Sequence, residues 1–235
     1  MTSLLKLDKV QTHIEQFHIL HDISFDVPKG EVTVLLGRNG AGKTTTLRTI
    51  MGLNPATKGS VTFHDNEISA WKPYKIAQSG IGYVPEEQGI FGGLSVGENM
   101  RVAMMKEDES TTNRMEWVLD LFPDLKKFWK KPGGQLSGGQ KQMLAIARAY
   151  VNNNELLLID EPSKGLAPII VEKVMESIQQ MKEKTTIVLV EQNFMMASKI
   201  GDRFYIIDEG QTVYDGEMKR LKEDKALMKK YLGIA

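Results

Sequence analysis

EVTVLLGRNGAGKTTTLRTIMG, residues 31–52, is the stretch from which the fold is read. Val32 to Leu36 form a continuous run of β-branched and apolar residues of one strand's length, Thr33 being its one hydroxyl, with no regular polar alternation to give it a wet face. A glycine-rich turn follows at once, and after it a helical run, TTTLRTIMG. Residues 37–45, GRNGAGKTT, match G-x-x-x-x-G-K-[ST] with a strand before and a helix after, the context in which that pattern has a mechanism. Backbone N–H groups along Gly37, Arg38, Asn39, Gly40, Ala41 and Gly42 point around an anion, and the helix N-terminus adds partial positive charge. Lys43 is placed to reach terminal phosphates, and Thr44, followed by Thr45, to offer a hydroxyl to Mg²⁺. A glycine turn alone would only cap a helix; this strand-loop-helix unit predicts a nucleotide-phosphate site on a P-loop NTPase core.

The remaining composition narrows the class. The chain has 235 residues, 41% hydrophobic and 26% charged, which is ordinary for a globular protein. Thirty Lys plus Arg balance thirty Asp plus Glu, so overall charge does not favour nucleic acid or an anionic membrane as the main partner. There is no cysteine, hence no disulfide framework or thiolate chemistry. MTSLLKLDKV at the start lacks the apolar core of a signal peptide. The longest apolar runs, such as Leu156 to Ile159 and Ile187 to Val190, fall far short of the roughly 20 residues of a membrane helix. The expectation is a cytoplasmic protein that does not itself span a bilayer.

LLKLDKV, ISFDV closed by Pro28-Lys29-Gly30, and GSVTFHD predict an antiparallel β part over about 1–30 and 59–70. From about 90 to 150 the signals are helical: Ser95 and Glu98 have capping-box spacing, and MEWVLDLF is apolar at helical intervals. The α/β pattern resumes with ELLLID, a helix from about Ile169 to Lys184, TTIVLV, a short helix, and RFYIID as a final strand before the Asp208-Glu209-Gly210 turn. One domain, 1–235, is therefore expected: a doubly wound parallel α/β sheet with an N-terminal antiparallel β subdomain and an inserted helical subdomain.

Two further motifs join the phosphate loop. LLLIDE, residues 156–161, brings adjacent carboxylates to the sheet edge where ligands sit in open α/β folds. Alternation sends Asp160 towards a metal's water shell and Glu161 towards the terminal phosphate, where it would polarise an attacking water. LSGGQ, residues 136–140, opens a helix: Ser137 is a good N-cap, and Gly138 and Gly139, followed by Gln140, expose amides that make a second anion grip. Alone, that pentapeptide would be a glycine hinge.

The order GRNGAGKTT, LSGGQ, LLLIDE resembles the ATP-binding subunit of ABC transporters over essentially the whole chain. The resemblance implies ATP and Mg²⁺ as cofactors and two subunits meeting head to tail, so that the LSGGQ of one closes over ATP on the other. Closure and hydrolysis then drive integral membrane permease subunits at the cytoplasmic face of the membrane. The family's switch residue after the next strand is usually a histidine. Here IVLVEQN puts Gln192 at that place, and the four histidines, His13, His18, His21 and His64, all lie early. VEQN, EPSKGLAP and the terminal YLG resemble LivF-type ATP-binding proteins of branched-chain amino acid importers. That likeness implies an identical or second ATPase subunit as dimer partner and an extracytoplasmic solute receptor in the same complex.

In the family's terms, the magnesium-sensing loop after IGYVP offers Glu86 or Gln88, and the adenine contact falls on Ile14, with His13 and Phe17 nearby. Ala167 stands where an aspartate is usual. Exporter or lipid-extraction ATPases are the alternative within the family. A soluble ABC ATPase acting on DNA or ribosomes would need paired cassettes or long coiled coils, and a small-molecule P-loop kinase would leave LSGGQ idle.

Overall fold

A computed structural model describes residues 3–233; Met1, Thr2, Ile234 and Ala235, the outer ends of the expected domain and of the segment read for a leader, lie outside the described residues. The apolar run after Glu31 forms strand β3 (Val32–Leu36), buried throughout as its composition requires. Before it, β1 (Ser3–Ile14) and β2 (Phe17–Pro28) pair antiparallel in a long hairpin. β4 (Lys58–Phe63) and the two-residue β5 (Asn66–Glu67) extend that sheet beyond β1. Helix α1 (Lys43–Ile50) follows the glycine loop, and α2 (Pro73–Gln78) precedes β6 (Ile81–Val84).

The helical stretch resolves into α3 (Val96–Ala103), α4 (Glu109–Leu121), α5 (Pro123–Lys127) and α6 (Gly138–Tyr150). Ser95 caps α3 in the capping box that its spacing with Glu98 predicts. The chain then runs β7 (Leu156–Asp160), α7 (Pro168–Lys182), β8 (Thr186–Val190), α8 (Phe194–Ile200) and β9 (Arg203–Asp208). β9 is not the final strand: after the Glu209-Gly210 turn, β10 (Gln211–Glu217) pairs antiparallel with β9. QTVYDGE is polar and mostly exposed, so it lacks the apolar signal by which the inner strands were read.

Among the described residues the strands form one ten-stranded sheet in the order β5-β4-β1-β2-β10-β9-β3-β8-β7-β6. The segment β9-β3-β8-β7-β6 is parallel throughout, and a single residue pair, Gln211 with Asp22, joins β10 to β2. Alternation along the inner strands sorts side chains into two compartments. Val34, Leu157, Leu189 and Ile206 pack with α3 to α8 on one face. Leu35, Leu158, Val190 and Ile207 pack with α1, α2 and the antiparallel strands on the other. The helices cross back over both faces, as a doubly wound sheet requires.

The join between β3 and the glycine loop is as tight as any packing in the core. Gly37 has φ +149°, and a Cβ added there would stand 2.1 Å from the carbonyl oxygen of Ile207 on neighbouring β9. Gly30, in the turn before β3, also has positive φ (+82°) but open space around it. Gly30→Ala should therefore cost about 1–2 kcal/mol, the backbone term alone. Gly37→Ala adds backbone overlap and should cost about 3 kcal/mol or more. Urea denaturation of the two variants checks this difference; equal midpoints would mean that the β3–β9 join gives way easily.

Candidate active site

Strands β3, β8 and β7 lie side by side and parallel, so all three deliver their C-terminal ends to one sheet edge. β3 leads into the glycine loop, β8 into Glu191 and Gln192, and β7 ends at Asp160 with Glu161 next. A cavity of about 410 Å³ opens there. The loop lines one wall with Asn39, Gly40, Gly42, Lys43, Thr44 and Thr45, while Glu86, Glu161, Lys164 and Gln192 supply charged and amide groups and β2 contributes Ile19. A wider hollow of about 640 Å³ is lined by side chains of α7 and α8, Glu172, Glu176 and Lys199 among them, rather than by a glycine loop and strand ends.

Lys43 is 5% exposed, and its Nζ donates to the carbonyls of Gly37 (2.9 Å) and Arg38 (3.0 Å). Glu161 Oε1 lies 3.9 Å away. Burial pulls the Lys43 ammonium below the usual lysine range, with Glu161, Asp160 and Glu191 pulling the other way. Helix α1 begins with Gly42 as N-cap (φ 106°) and no side chain capping it, so its first-turn amides meet the cavity without a side-chain acceptor. An uncapped helix start beside a buried ammonium suits a phosphate.

Asp160 is fully buried and accepts hydrogen bonds from Thr44 Oγ1 (3.2 Å) and Tyr83 Oη (3.4 Å). Burial pushes its carboxyl up to about 6, against the lowering effect of the Thr44 hydroxyl. Glu161 takes a left-handed backbone, φ 44°, unusual outside glycine. Its amide donates to Val190 O (2.9 Å), and Gln192 Nε2 donates to its Oε1 (2.5 Å). The strained residue is thus tied by main chain and side chain to the adjacent strand end.

Glu191, buried beside them, does a different job. Its Oε1 accepts from Ser163 Oγ (2.9 Å) and from the amides of Gln192 (2.9 Å) and Asn193 (2.8 Å). One carboxylate oxygen therefore fastens the loop after β7 to the loop after β8, while Oε2 has no hydrogen-bond partner among the described residues. Burial raises this carboxyl. Asn193 caps α8 through Met196 N.

The donors also suit a particular metal. Among the described residues no three His, Cys, Asp or Glu side chains gather into a closed metal site. Thr44 Oγ1 at the cavity and the Asp160 carboxylate bonded to it offer hard oxygens of the kind that would suit Mg²⁺.

A family model described as "ABC transporter" matches residues 20–164, more than half of the chain. The chain belongs to the ABC transporter family. It is 40% identical to the high-affinity branched-chain amino acid transport ATP-binding protein BraG of Pseudomonas aeruginosa, over 98% of this chain and 100% of the relative. It is 36% identical to the probable branched-chain amino acid transport ATP-binding protein LivF of Archaeoglobus fulgidus, over 98% and 99%. The solved structure of an ATP-binding subunit of an ABC transporter superposes with a TM-score of 0.84 at 26% identity, over 98% and 97% of the two chains. The chain is an ATP-hydrolysing ABC subunit, and none of its described helices is long and apolar enough to cross a membrane.

In this ABC subunit the other candidate residues fall at varied distances from the cavity. Gly37, Arg38 and Ala41 build the loop without lining the hollow; Arg38 instead donates to Lys230 O at 3.3 Å, and a Cβ on Gly37 would meet Ala41 at 3.4 Å. Ser137 caps α6, with Gln140 completing a capping box. Gly138 is exposed, and Gly139 is held small by Ile170 of α7, whose Cγ2 a Cβ would approach to 2.5 Å. None of residues 137–140 lines the cavity of its own chain. Glu86 reaches the cavity; Gln88 turns away, its Nε2 3.4 Å from Gly138 O. Ile14 ends β1, 39% exposed and opposite Phe17, and does not line the hollow, where Ile19 is the apolar contact from β2.

Glu191, Ser163 and Lys164 were not assigned roles in the sequence. The available signal was Glu191 itself, an acidic residue directly continuing a fully buried five-residue strand and hence in need of donors.

In the ligand-free chain, the raised carboxyl of Asp160 sets a pH dependence. Between about 4 and 6 the unfolded chain has already lost the proton that the folded chain keeps, so this group's contribution to stability falls as pH rises through that window. Asp160→Asn removes that cost while keeping an acceptor for Thr44. It should stabilise the ligand-free protein at pH 7 by up to about 3 kcal/mol, with the gain vanishing below about pH 4. Melting temperatures across this range are the measurement; a pH-independent difference would show that Asp160 titrates normally.

Proposed function

We propose that this chain is the ATPase subunit of a membrane importer for branched-chain amino acids or related small polar solutes. The observation that carries the reading is the single cavity onto which the phosphate loop, Glu161 and Gln192 all open. Similarity to BraG and LivF over nearly the full chain supports the solute class.

On this reading the loop amides of residues 37–45 and Lys43 hold the phosphates of ATP. Thr44 and Asp160 would hold Mg²⁺, which would supply positive charge to screen the phosphates. Glu161, left-handed and anchored to β8, polarises a water for attack on the terminal phosphate. Gln192, bonded to Glu161 Oε1, orients that carboxylate; lacking a titratable proton, it acts through its amide dipole alone. Glu86, rather than Gln88, stands at the cavity as the sensor of metal and membrane partner. Adenine lies beyond the cavity against the β1–β2 hairpin, where Ile14 gives an apolar contact.

Ser137, Gly138, Gly139 and Gln140 do not line this chain's own cavity, in keeping with service to a second subunit. Two ATPase subunits, identical or different, close head to tail on two ATP. They work on integral permease subunits fed by an extracytoplasmic solute receptor. The ATPase sits peripherally on the cytoplasmic face of the membrane.

Glu161→Gln should retain ATP, accumulate a closed dimer on size exclusion, and hydrolyse about 10²- to 10⁴-fold more slowly. Normal turnover would remove Glu161 from the mechanism. Gln192→Ala should lower turnover, and Gln192→His should preserve it. Two variants indistinguishable from the parent would reduce Gln192 to a polar strand end. Purifying the intact membrane complex and identifying the solute on its receptor tests the transport assignment; a lipid or a non-polar solute there would overturn it.

A further inference from the structure

Lys164 sits in the turn that follows Glu161, on a loop with little freedom. Its amide donates to Glu161 O (3.1 Å), Leu166 N donates to Ser163 O (3.2 Å), and Gly165 is left-handed at φ +71°. The buried Glu191 carboxylate grips Ser163 next to it. From this anchored position the Lys164 side chain lines the cavity. Its ammonium bonds the Glu86 carboxylate and stands 3.9 Å from Glu161 Oε2. Glu161 is consequently bracketed, with Lys43 and Gln192 at Oε1 and Lys164 at Oε2.

The charges around this hollow explain why a lysine is wanted. Glu86 and Glu161 line it, and Asp160 and Glu191 lie close enough to act on Lys43, so four carboxylates surround the place of a ligand that is itself a polyanion. Lys43 alone leaves these carboxylates in excess, and Lys164 supplies a second cation against them. Glu86 follows β6 and Lys164 follows β7, so their ion pair also bridges two neighbouring strand ends. Lys164 is 58% exposed and Glu86 32%, so the pair contributes little to folding, and its effect falls on what enters the cavity.

We propose that Lys164 is a positioning residue which neutralises Glu86 and holds Glu161 between two cations, making an acid-rich cavity receptive to a polyphosphate. The proposal rests on the nucleotide reading of this cavity given above. It predicts that Glu86 is the obstacle once Lys164 is gone.

The test is equilibrium binding of ATP to the full chain, by displacement of a fluorescent ATP analogue in magnesium-free buffer, where hydrolysis plays no part. The proteins are the parent, Lys164→Met, Glu86→Gln and the double variant, each checked for an unchanged melting curve. Lys164→Met should weaken ATP binding about tenfold, and by less in high salt. Adding Glu86→Gln to it should restore affinity to within about threefold of Glu86→Gln alone, a rescue that a merely structural lysine would not allow. Lys164→Met binding as tightly as the parent, or a double variant as weak as Lys164→Met, overturns the role of Lys164 and leaves the nucleotide reading standing. A parent that binds no ATP with magnesium or without it overturns both.

Discussion

Charge that cannot be spread into water must be answered by charge or hydrogen bonds at fixed positions, and that constraint organises this molecule. Asp160, Glu161, Glu191 and Lys43 are all buried at one sheet edge. An isolated charge there would cost several kcal/mol. The chain meets the cost by aligning three parallel strand ends so that each group faces a partner from another segment: Lys43 at the start of α1 against Glu161 after β7, Gln192 after β8 against Glu161, Thr44 of α1 against Asp160, and Ser163 after β7 against Glu191. The doubly covered sheet, with both faces sealed by apolar side chains, makes the strand ends rigid enough for this arrangement.

Glycine and strain do the same work in the backbone. Gly37 lets the chain leave β3 against the carbonyl of Ile207, and Gly42 starts α1 without a capping side chain. Glu161 adopts a left-handed conformation without being glycine, and is held in it by Val190 and Gln192. A strained residue kept in place by two strand ends has a carboxylate whose direction is set before any ligand arrives.

Much of this was legible in the chain. The loop GRNGAGKTT, the buried strand ending in Asp160 and the capped helix starts at Ser95 and Ser137 are local patterns with local causes. So is the alternation of apolar strands and helices that announces a doubly wound sheet. The less legible features depend on contacts across sequence. Lys164 reads as an ordinary surface lysine until the fold brings Glu86, 78 positions away, to its ammonium. Ile19 is seen as the apolar lining of the cavity only once β2 is laid beside the loop. β10 carries no apolar run, because its stability comes from pairing with β9.

The sheet also acts as a bulkhead between two apolar compartments. Side chains above and below it touch through the backbone of β3, β7, β8 and β9, not directly, so substitutions on opposite faces should act almost independently. A lineage could rework the helical compartment built from α3 to α8 to suit a new neighbour while α1 and the antiparallel strands keep their packing. One nucleotide engine of this shape is thereby free to serve many different machines.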